Sequence, residues 1–449
     1  MDNRLGIGAL SVGTNEMLGD KFDLFAPIST NNDVFKSHKL FYRPISTTNS
    51  KGPFVFDVQR DPEKWTDVKS LCLHGKMQIK KKSVSGALIN LAANEDIGVV
   101  NNIFHSLWSS VSIKINDTEI TDPSSGVYPY KAYLENLLSY SPDTKQTKLR
   151  AQGYIEDSTN LFDTSNDTNL GYTARKKMFA ESVWVNFKIP LHNDLMSADR
   201  DLPPNVKMMI TLQRSPDTFC LIKPLTNTDD YSIILEDICL SLVKCEPSDH
   251  IEHAYETSLK QNMIPTIPME RNFIKSYTVQ KNTNDLSCYN IIFGRQLPTN
   301  VYVFMIDQTA FNGDVNKNPF NFKHNDMSEA SLVVNGVNEP SEMYKLDYKN
   351  NKTVDLYSSF LENTGIGQFE DITHGIKLED YYGGFFVLAW DRTPLKLNGL
   401  FTSQYNESGS MNINLRTRSS LSNNITVFVY ASYNSALQFI GDEVRTSTF

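Results

Sequence analysis

The side chains of this chain that could do chemistry are few and scattered. Two histidines stand three residues apart in "HIEH", at His250 and His253, but no further His or Cys cluster lies nearby in sequence to complete a metal site. A linker with two solvated imidazoles explains them. Five cysteines, Cys72, Cys220, Cys239, Cys245 and Cys288, are odd in number and form no CxxC pair, which fits reduced thiols rather than a disulfide frame or zinc site. "GIGALSVG" from Gly6 lacks the GxGxxG spacing and any preceding strand, and neither a phosphate-cradling GxxxxGK[ST] nor a GxSxG elbow occurs. Paired acids are the open chemical option, since sandwich glycosidases use two carboxylates that meet only in space. "LEDYY" from Leu378 and "FEDIT" from Phe369 supply acids beside aromatics, and polar loop positions at strand starts explain them more simply. Trp108, Trp184 and Trp390 sit in apolar strand contexts that suit a core better than a base-stacking platform. The expected inventory is therefore empty: no catalytic residue, no cofactor and no metal ligand.

Length and charge narrow the class. At 449 residues the chain exceeds what one core usually supports, so two domains are expected. The net charge of −9 argues against a surface that wraps nucleic acid, which needs clustered Lys and Arg to neutralise phosphates. The compact basic run Lys80 to Lys82 adjoins an alternating strand and reads as its solvated end. The N-terminus has no basic start followed by an apolar core, so synthesis inside the cell without secretion is expected. The sequons at Asn116, Asn166, Asn351, Asn406 and Asn424 then carry no weight. The longest apolar run, "GGFFVLAW" from Gly383, is too short to span a bilayer.

Period-two alternation runs through the whole length. Val111, Ile113 and Ile115 share one face of a strand, as do Val206, Met208, Ile210 and Leu212, and again Met411, Ile413 and Leu415. Between such strands lie Asn, Asp, Ser, Pro and Gly, with 41 Asn against 22 Gly, a balance suited to turns because Asn tolerates the left-handed backbone. Many strands joined by long irregular connections predict sandwiches or jelly rolls. Helical spacing is confined to two short segments, "YPYKAYLENLLSY" from Tyr128 and "VDLYSSFLENTG" from Val354.

One sixteen-residue pattern occurs twice. Asn102 to Asp117 and Asn321 to Gly336 align without gaps and share Asn102/Asn321, His105/His324, Ser109/Ser328, Ser112/Ser331 and Asn116/Asn335. Each copy is followed by one of the two helical segments, carrying "YLEN" and "FLEN". The order predicts a duplicated β-domain, with the Asn pair at equivalent turns and the His pair anchoring a loop as it enters a strand. The boundaries follow: an arm over 1–40, one roll over 41–247, a linker over 248–271, a second roll over 272–436 and a tail over 437–449. "FNGDVNKNPFNFKH" from Phe311 then reads as a surface loop of the second roll.

With these segments in view, the chain resembles the double jelly-roll major capsid proteins of Polinton/Maverick elements and the related adintoviruses, in the lineage of adenovirus hexon. The resemblance rests on "KFDLF" at Lys21, "GPFVFDV" at Gly52, "FHSLWSSVSIKIND" at Phe104, "YPYKAYLENLLSY", "AFNGDVNKNPFNFKH" at Ala310, "NTGIG" at Asn363 and "VFVYASYN" at Val427. It implies an all-β chain of two tandem eight-stranded antiparallel jelly rolls with short helices in the loops. It also implies a homotrimer of pseudo-hexagonal outline that tiles an icosahedral shell around double-stranded DNA. The partners it implies are further copies of the chain, a single jelly-roll penton or vertex protein, and minor or cement proteins, with no small-molecule substrate and no sequence-specific nucleic acid; the location is the virion. The rival class is a tandem jelly-roll glycan-active enzyme or lectin, because the fold alone does not separate the two.

Overall fold

The computed structural model describes residues 33–45, 51–121, 126–291, 296–348, 350, 352–366, 373–393 and 407–448. The Gly6 segment, "KFDLF", Phe369 to Asp371, and the sequons at Asn351 and Asn406 lie outside them. Among the described residues strand accounts for 42% and helix for 20%, so β-pairing decides the architecture.

Apart from the two-residue strands Leu88–Ile89, Gly98–Val99 and Leu221–Ile222, the described residues of the first half form eight strands: β1 (Val34–Tyr42), β2 (Phe54–Val58), β3 (Trp65–Lys82), β4 (Trp108–Ile115), β5 (Thr118–Glu119), β6 (Val185–Pro190), β7 (Met208–Arg214) and β8 (Tyr231–Pro247). They pair antiparallel in the orders β1-β8-β3-β6 and β2-β7-β4-β5. The second half follows with β9 (Thr266–Val279), β10 (Asn300–Asp307), β11 (Met327–Val334), β12 (Val337–Lys345), β13 (Val387–Asp391), β14 (Met411–Thr417) and β15 (Ile425–Ile440). One of its sheets runs β9-β15-β10-β13; the other runs β12-β11-β14 and is completed by the segment around Asp285 and Cys288, which bridges to Arg416 and Ile413. Both halves therefore have neighbours first–eighth–third–sixth in one sheet and second–seventh–fourth–fifth in the other. That repeated order is a jelly roll, made twice.

The alternation read in the sequence is the burial pattern. Val111, Ile113 and Ile115 of β4, Met208, Ile210 and Leu212 of β7, and Met411, Ile413 and Leu415 of β14 all point into their sandwiches. Strand β15 departs from it: Ile425 to Tyr433 is buried on both faces, because the outer face of its sheet is covered by the first roll.

The duplicated pattern occupies equivalent places. Strands β4 and β11 are the same eight positions of the two copies, and each ends in a two-residue hairpin, closed by Ile115 opposite Thr118 and by Val334 opposite Val337. Asn116 and Asp117 take φ of 45° and 69°, and Asn335 and Gly336 take 51° and 83°, the left-handed pair that a type I′ turn requires. Each Asn also clasps the start of the seventh strand. Asn116 Oδ1 accepts from Lys207 N at 2.9 Å while its own N–H donates to Lys207 O, and Asn335 treats Ser410 in the same way, also at 2.9 Å. Asn335→Ala removes the acceptor and puts at positive φ a residue that tolerates the left-handed backbone less well than Asn, so we expect a loss of about 2 kcal/mol in urea unfolding, and a comparable loss for Asn116→Ala. A change under about 0.5 kcal/mol in both would remove the turns from any stabilising role.

The longer helices of the rolls sit in the connection between fifth and sixth strands: α1 (Tyr128–Ser139) and, further along that connection, α2 (Leu170–Met178) in the first, and α4 (Val354–Asn363) in the second. Helix α3 (Asp249–Lys260) occupies the linker. Tyr133 and Phe360, equivalent in "YLEN" and "FLEN", are both fully buried, while Leu134 is buried and Leu361 only partly so. Strand pairing also reaches beyond the spans that periodicity suggested. Val34 already pairs with Pro247, Thr266 pairs with Gln438, and β16 (Glu443–Thr448) adds to β15, because a ladder continues as long as the neighbouring strand offers free backbone groups.

Candidate functional site

The residues that sequence singled out for chemistry do not converge. His250 and His253 lie exposed on α3, where His250 Nδ1 is 2.9 Å from Ser248 Oγ. All five cysteines are free thiols. Burial pushes the thiols of Cys220 and Cys288 up to about 12, away from nucleophilic use, and Cys220 donates to Ser106 O at 3.3 Å. Asp380 of "LEDYY" accepts a hydrogen bond from Thr159 of the other roll, a structural tie. Trp108 and Trp390 are core. Trp184 is not: it is half-buried on the outside, with Lys76 Nζ 5.5 Å from its ring centroid, because its neighbours Val183 and Val185 are themselves partly exposed. In the Lys80 to Lys82 run, Lys81 is neutralised by Glu95 at 2.9 Å and Asp229 at 2.5 Å.

The duplicated histidines are both held by tyrosines. His105 Nδ1 is 3.1 Å from Tyr128 Oη, and His324 stacks on Tyr348 with centroids 4.0 Å apart while its Nδ1 accepts from Asp326 N. Each precedes its strand by three residues.

What the structure brings together instead is the seam between the rolls. Tyr130 of α1 lies 4.6 Å from Phe428 and 5.7 Å from Phe320, and Tyr133 stacks on Phe320 at 4.3 Å. Phe304 stacks on both Phe428 and Phe322. The stretch "NPFNFKH" is therefore no surface loop: Asn318, Phe320 and Phe322 are at most 2% exposed. Its Asn and Pro content marks a turn, and the turn is inserted beneath α1, which local composition does not reveal. Polar groups frame the aromatics. Arg175 of α2 binds Asp157 at 2.6 Å with both side chains 1% exposed; the same carboxylate accepts from Asn169 and, across the seam, from Asn318 Nδ2, each at 2.9 Å. Lys323 reaches Asp163 of the first roll and Asp307 of the second, each at 3.0 Å.

Beside this seam opens a cavity of about 400 Å3 lined by Glu135, His192, Glu270, Tyr302 and Tyr430 among others. Glu135 Oε2 lies 2.6 Å from His192 Nδ1, and Tyr430 donates to its Oε1 at 3.1 Å. Burial raises the Glu135 carboxyl, but Lys131 and His192 outweigh it and hold it below the usual range. Glu270 is raised, by burial first and then by the charges of Glu135 and Asp194. None of these groups stood out in sequence; the i,i+4 spacing of Lys131 and Glu135 was the one available signal. Among the described residues no three His, Cys, Asp or Glu side chains converge as a metal site would need, and no described helix is long and apolar enough to cross a membrane.

No protein-family model matches the chain. An uncharacterised protein of the nematode Caenorhabditis elegans is 22% identical over 374 residues, covering 82% of this chain and 86% of that protein. Among solved structures, a chain of the Sputnik virophage matches with a TM-score of 0.61 at 11% identity, covering 98% of this chain and 94% of its own. The Faustovirus major capsid protein matches at 0.58 and 10% identity over 93% of each chain, and the mavirus major capsid protein at 0.52 and 13% over 98% and 96%. The fold is the double jelly roll of viral major capsid proteins. These neighbours are structural components of virions rather than enzymes.

Proposed function

We propose that the chain is itself a major capsid protein, of the Polinton/Maverick and adintovirus-like lineage. The observation that carries this reading is the complete repetition of one strand order, with both copies locked through a buried aromatic seam into a shape that follows capsid chains over nearly their whole length. A relative in an animal, the nematode, supports an integrating element as the source. In this reading an N-terminal arm leads into two rolls, joined by a linker that carries α3. Three chains form a pseudo-hexagonal capsomer, each roll filling one of six positions, through head-to-tail contacts that close into a ring. Capsomers then tile an icosahedral shell around double-stranded DNA, with a single jelly-roll vertex protein at the fivefold positions and minor or cement proteins between capsomers. The chain has no catalytic role, no cofactor and no metal in this scheme.

Light scattering on the purified chain at micromolar concentration is expected to give about three times the chain mass of 50.9 kDa, and electron microscopy to show hexagonal outlines. A monomer at every concentration would overturn the capsomer. Duplex DNA is expected to bind weakly or not at all at physiological salt, since net charge is −9 and Lys81 is neutralised by Glu95 and Asp229. Tight binding with a steep salt slope would count against the same reading.

A further inference from the structure

The charge around the cavity beside the seam is lopsided. Three carboxylates, Glu135, Asp194 and Glu270, face one lysine: Lys131 lies 2.5 Å from Asp194 and 4.0 Å from Glu135. His192 is occupied with Glu135. Glu270 lines the cavity, is half-buried there, and has no cationic side chain within 4 Å among the described residues. Ser432 Oγ, which also lies 2.7 Å from Asn272 Oδ1, can donate to Glu270, but a hydroxyl supplies no charge. A half-buried carboxylate with two others close by and no counter-charge of its own favours a positive group beside it.

The walls say what kind. A metal ion needs three or more converging ligands, which the described residues do not provide. Tyr302 and Tyr430 meet edge to face with centroids 5.8 Å apart, and aromatic faces attract organic cations. The remaining lining is amide and hydroxyl, with Asn300 Oδ1 buried and unpartnered as a further acceptor for N–H donors. A volume of about 400 Å3 exceeds a single ammonium group and suits one carried on a short alkyl chain.

We propose that this cavity binds an organic cation, a primary ammonium or guanidinium group on an alkyl stem, with Glu270 as its counter-ion and the Tyr302–Tyr430 pair as its wall. The proposal is independent of the capsid reading. The cation is either a free amine or a Lys or Arg side chain of another copy of the chain.

The test uses the full chain at constant ionic strength. With 1,4-diaminobutane or butylguanidinium chloride the melting temperature is expected to rise and saturate; with neutral 1,4-butanediol it is not. Glu270→Gln is expected to raise the half-saturating concentration at least tenfold, while Glu236→Gln, an exposed acid on β8, leaves it unchanged. Should Glu270→Gln fail to fold, Tyr302→Leu tests the wall with the carboxylate intact and is expected to weaken binding at least threefold. Light scattering separates the sources: a diamine that displaces a side chain of another copy lowers the associated mass, and one that fills a free site leaves it unaltered. No saturable shift with either cation, or binding undiminished in Glu270→Gln and Tyr302→Leu, would overturn the proposal and mean that Glu270 is simply protonated.

Discussion

Asp157→Ala is expected to lower the free energy of unfolding by about 3–5 kcal/mol, among the largest effects of any single substitution in this chain. The carboxylate and Arg175 are each 1% exposed and 2.6 Å apart, so removing the acid leaves a guanidinium buried without its counter-charge. Two further donors each lose one acceptor: the amide of Asn169, which also organises the start of α2 and keeps the carbonyls of Leu161 and Thr164, and the amide of Asn318 from the second roll, which keeps the carbonyl of Phe162. Arg175 keeps its bonds to the carbonyls of Val99 and Ile155, but neither carries a full charge. Asp157→Asn, which keeps an acceptor oxygen and loses only the charge, is expected to cost less. The measurement is urea unfolding followed by tryptophan fluorescence. A loss below about 1 kcal/mol for Asp157→Ala would show that water reaches the pair, and the seam would then rest on its aromatics alone.

Acidification is expected to weaken the fold steeply below pH 6.5. Burial, with the charge of Lys145 behind it, pushes the His374 imidazole down to about 3, and burial together with His192 pushes His105 well below its ordinary value. Both therefore stay neutral in the folded chain while their unfolded counterparts take up protons below about 6.5. The unfolded state binds more protons, so stability rises with pH and is lost as pH falls from about 6.5 toward the folded values. Each histidine's contribution approaches about 1.4 kcal/mol per pH unit as its unfolded imidazole becomes fully protonated, so the two together cost about 3 kcal/mol between pH 6.5 and pH 5. His74 and His324, lowered chiefly by burial, act in the same direction. Urea midpoints measured at pH 5 and pH 7 check this. His374→Gln is expected to reduce the proton uptake on unfolding by about one near pH 5, and an unchanged pH slope in that variant would place the sensitivity elsewhere.

Much of the fold was legible because strands announce themselves through period two. The alternation in "VSIKIND", "VKMMITLQ" and "MNINLRTR" gave the inward faces of β4, β7 and β14, apart from Val206, which precedes β7 and is only partly buried. The duplication was legible for a different reason. A type I′ turn tolerates few residue types, so Asn116 and Asn335 persisted where most of the sandwich diverged, and their backbone angles and clasps coincide. The strand order within each sheet was not readable from periodicity, which says which face is buried but not which strand lies alongside. Trp184 and the "NPFNFKH" stretch were misplaced, one outward and one inward, because an apolar neighbourhood and a turn-rich neighbourhood are both local measures.

The sequence by itself determined the class of structure, the inward-facing residues of the recognisable strands, and the pair of matching turns, since each depends on residues within a few positions of one another. Only the tertiary structure decided what the two most distinctive segments are for. "YPYKAYLENLLSY" and "NPFNFKH" are separated by nearly 190 residues, yet Tyr130 and Tyr133 of the first pack on Phe320 and Phe322 of the second. The same holds for Asp157 with Asn318, and for Glu135 and Glu270 around one cavity. Burial and charge pairing act over a few ångströms of space whatever the distance along the chain, so no window of sequence contains both partners.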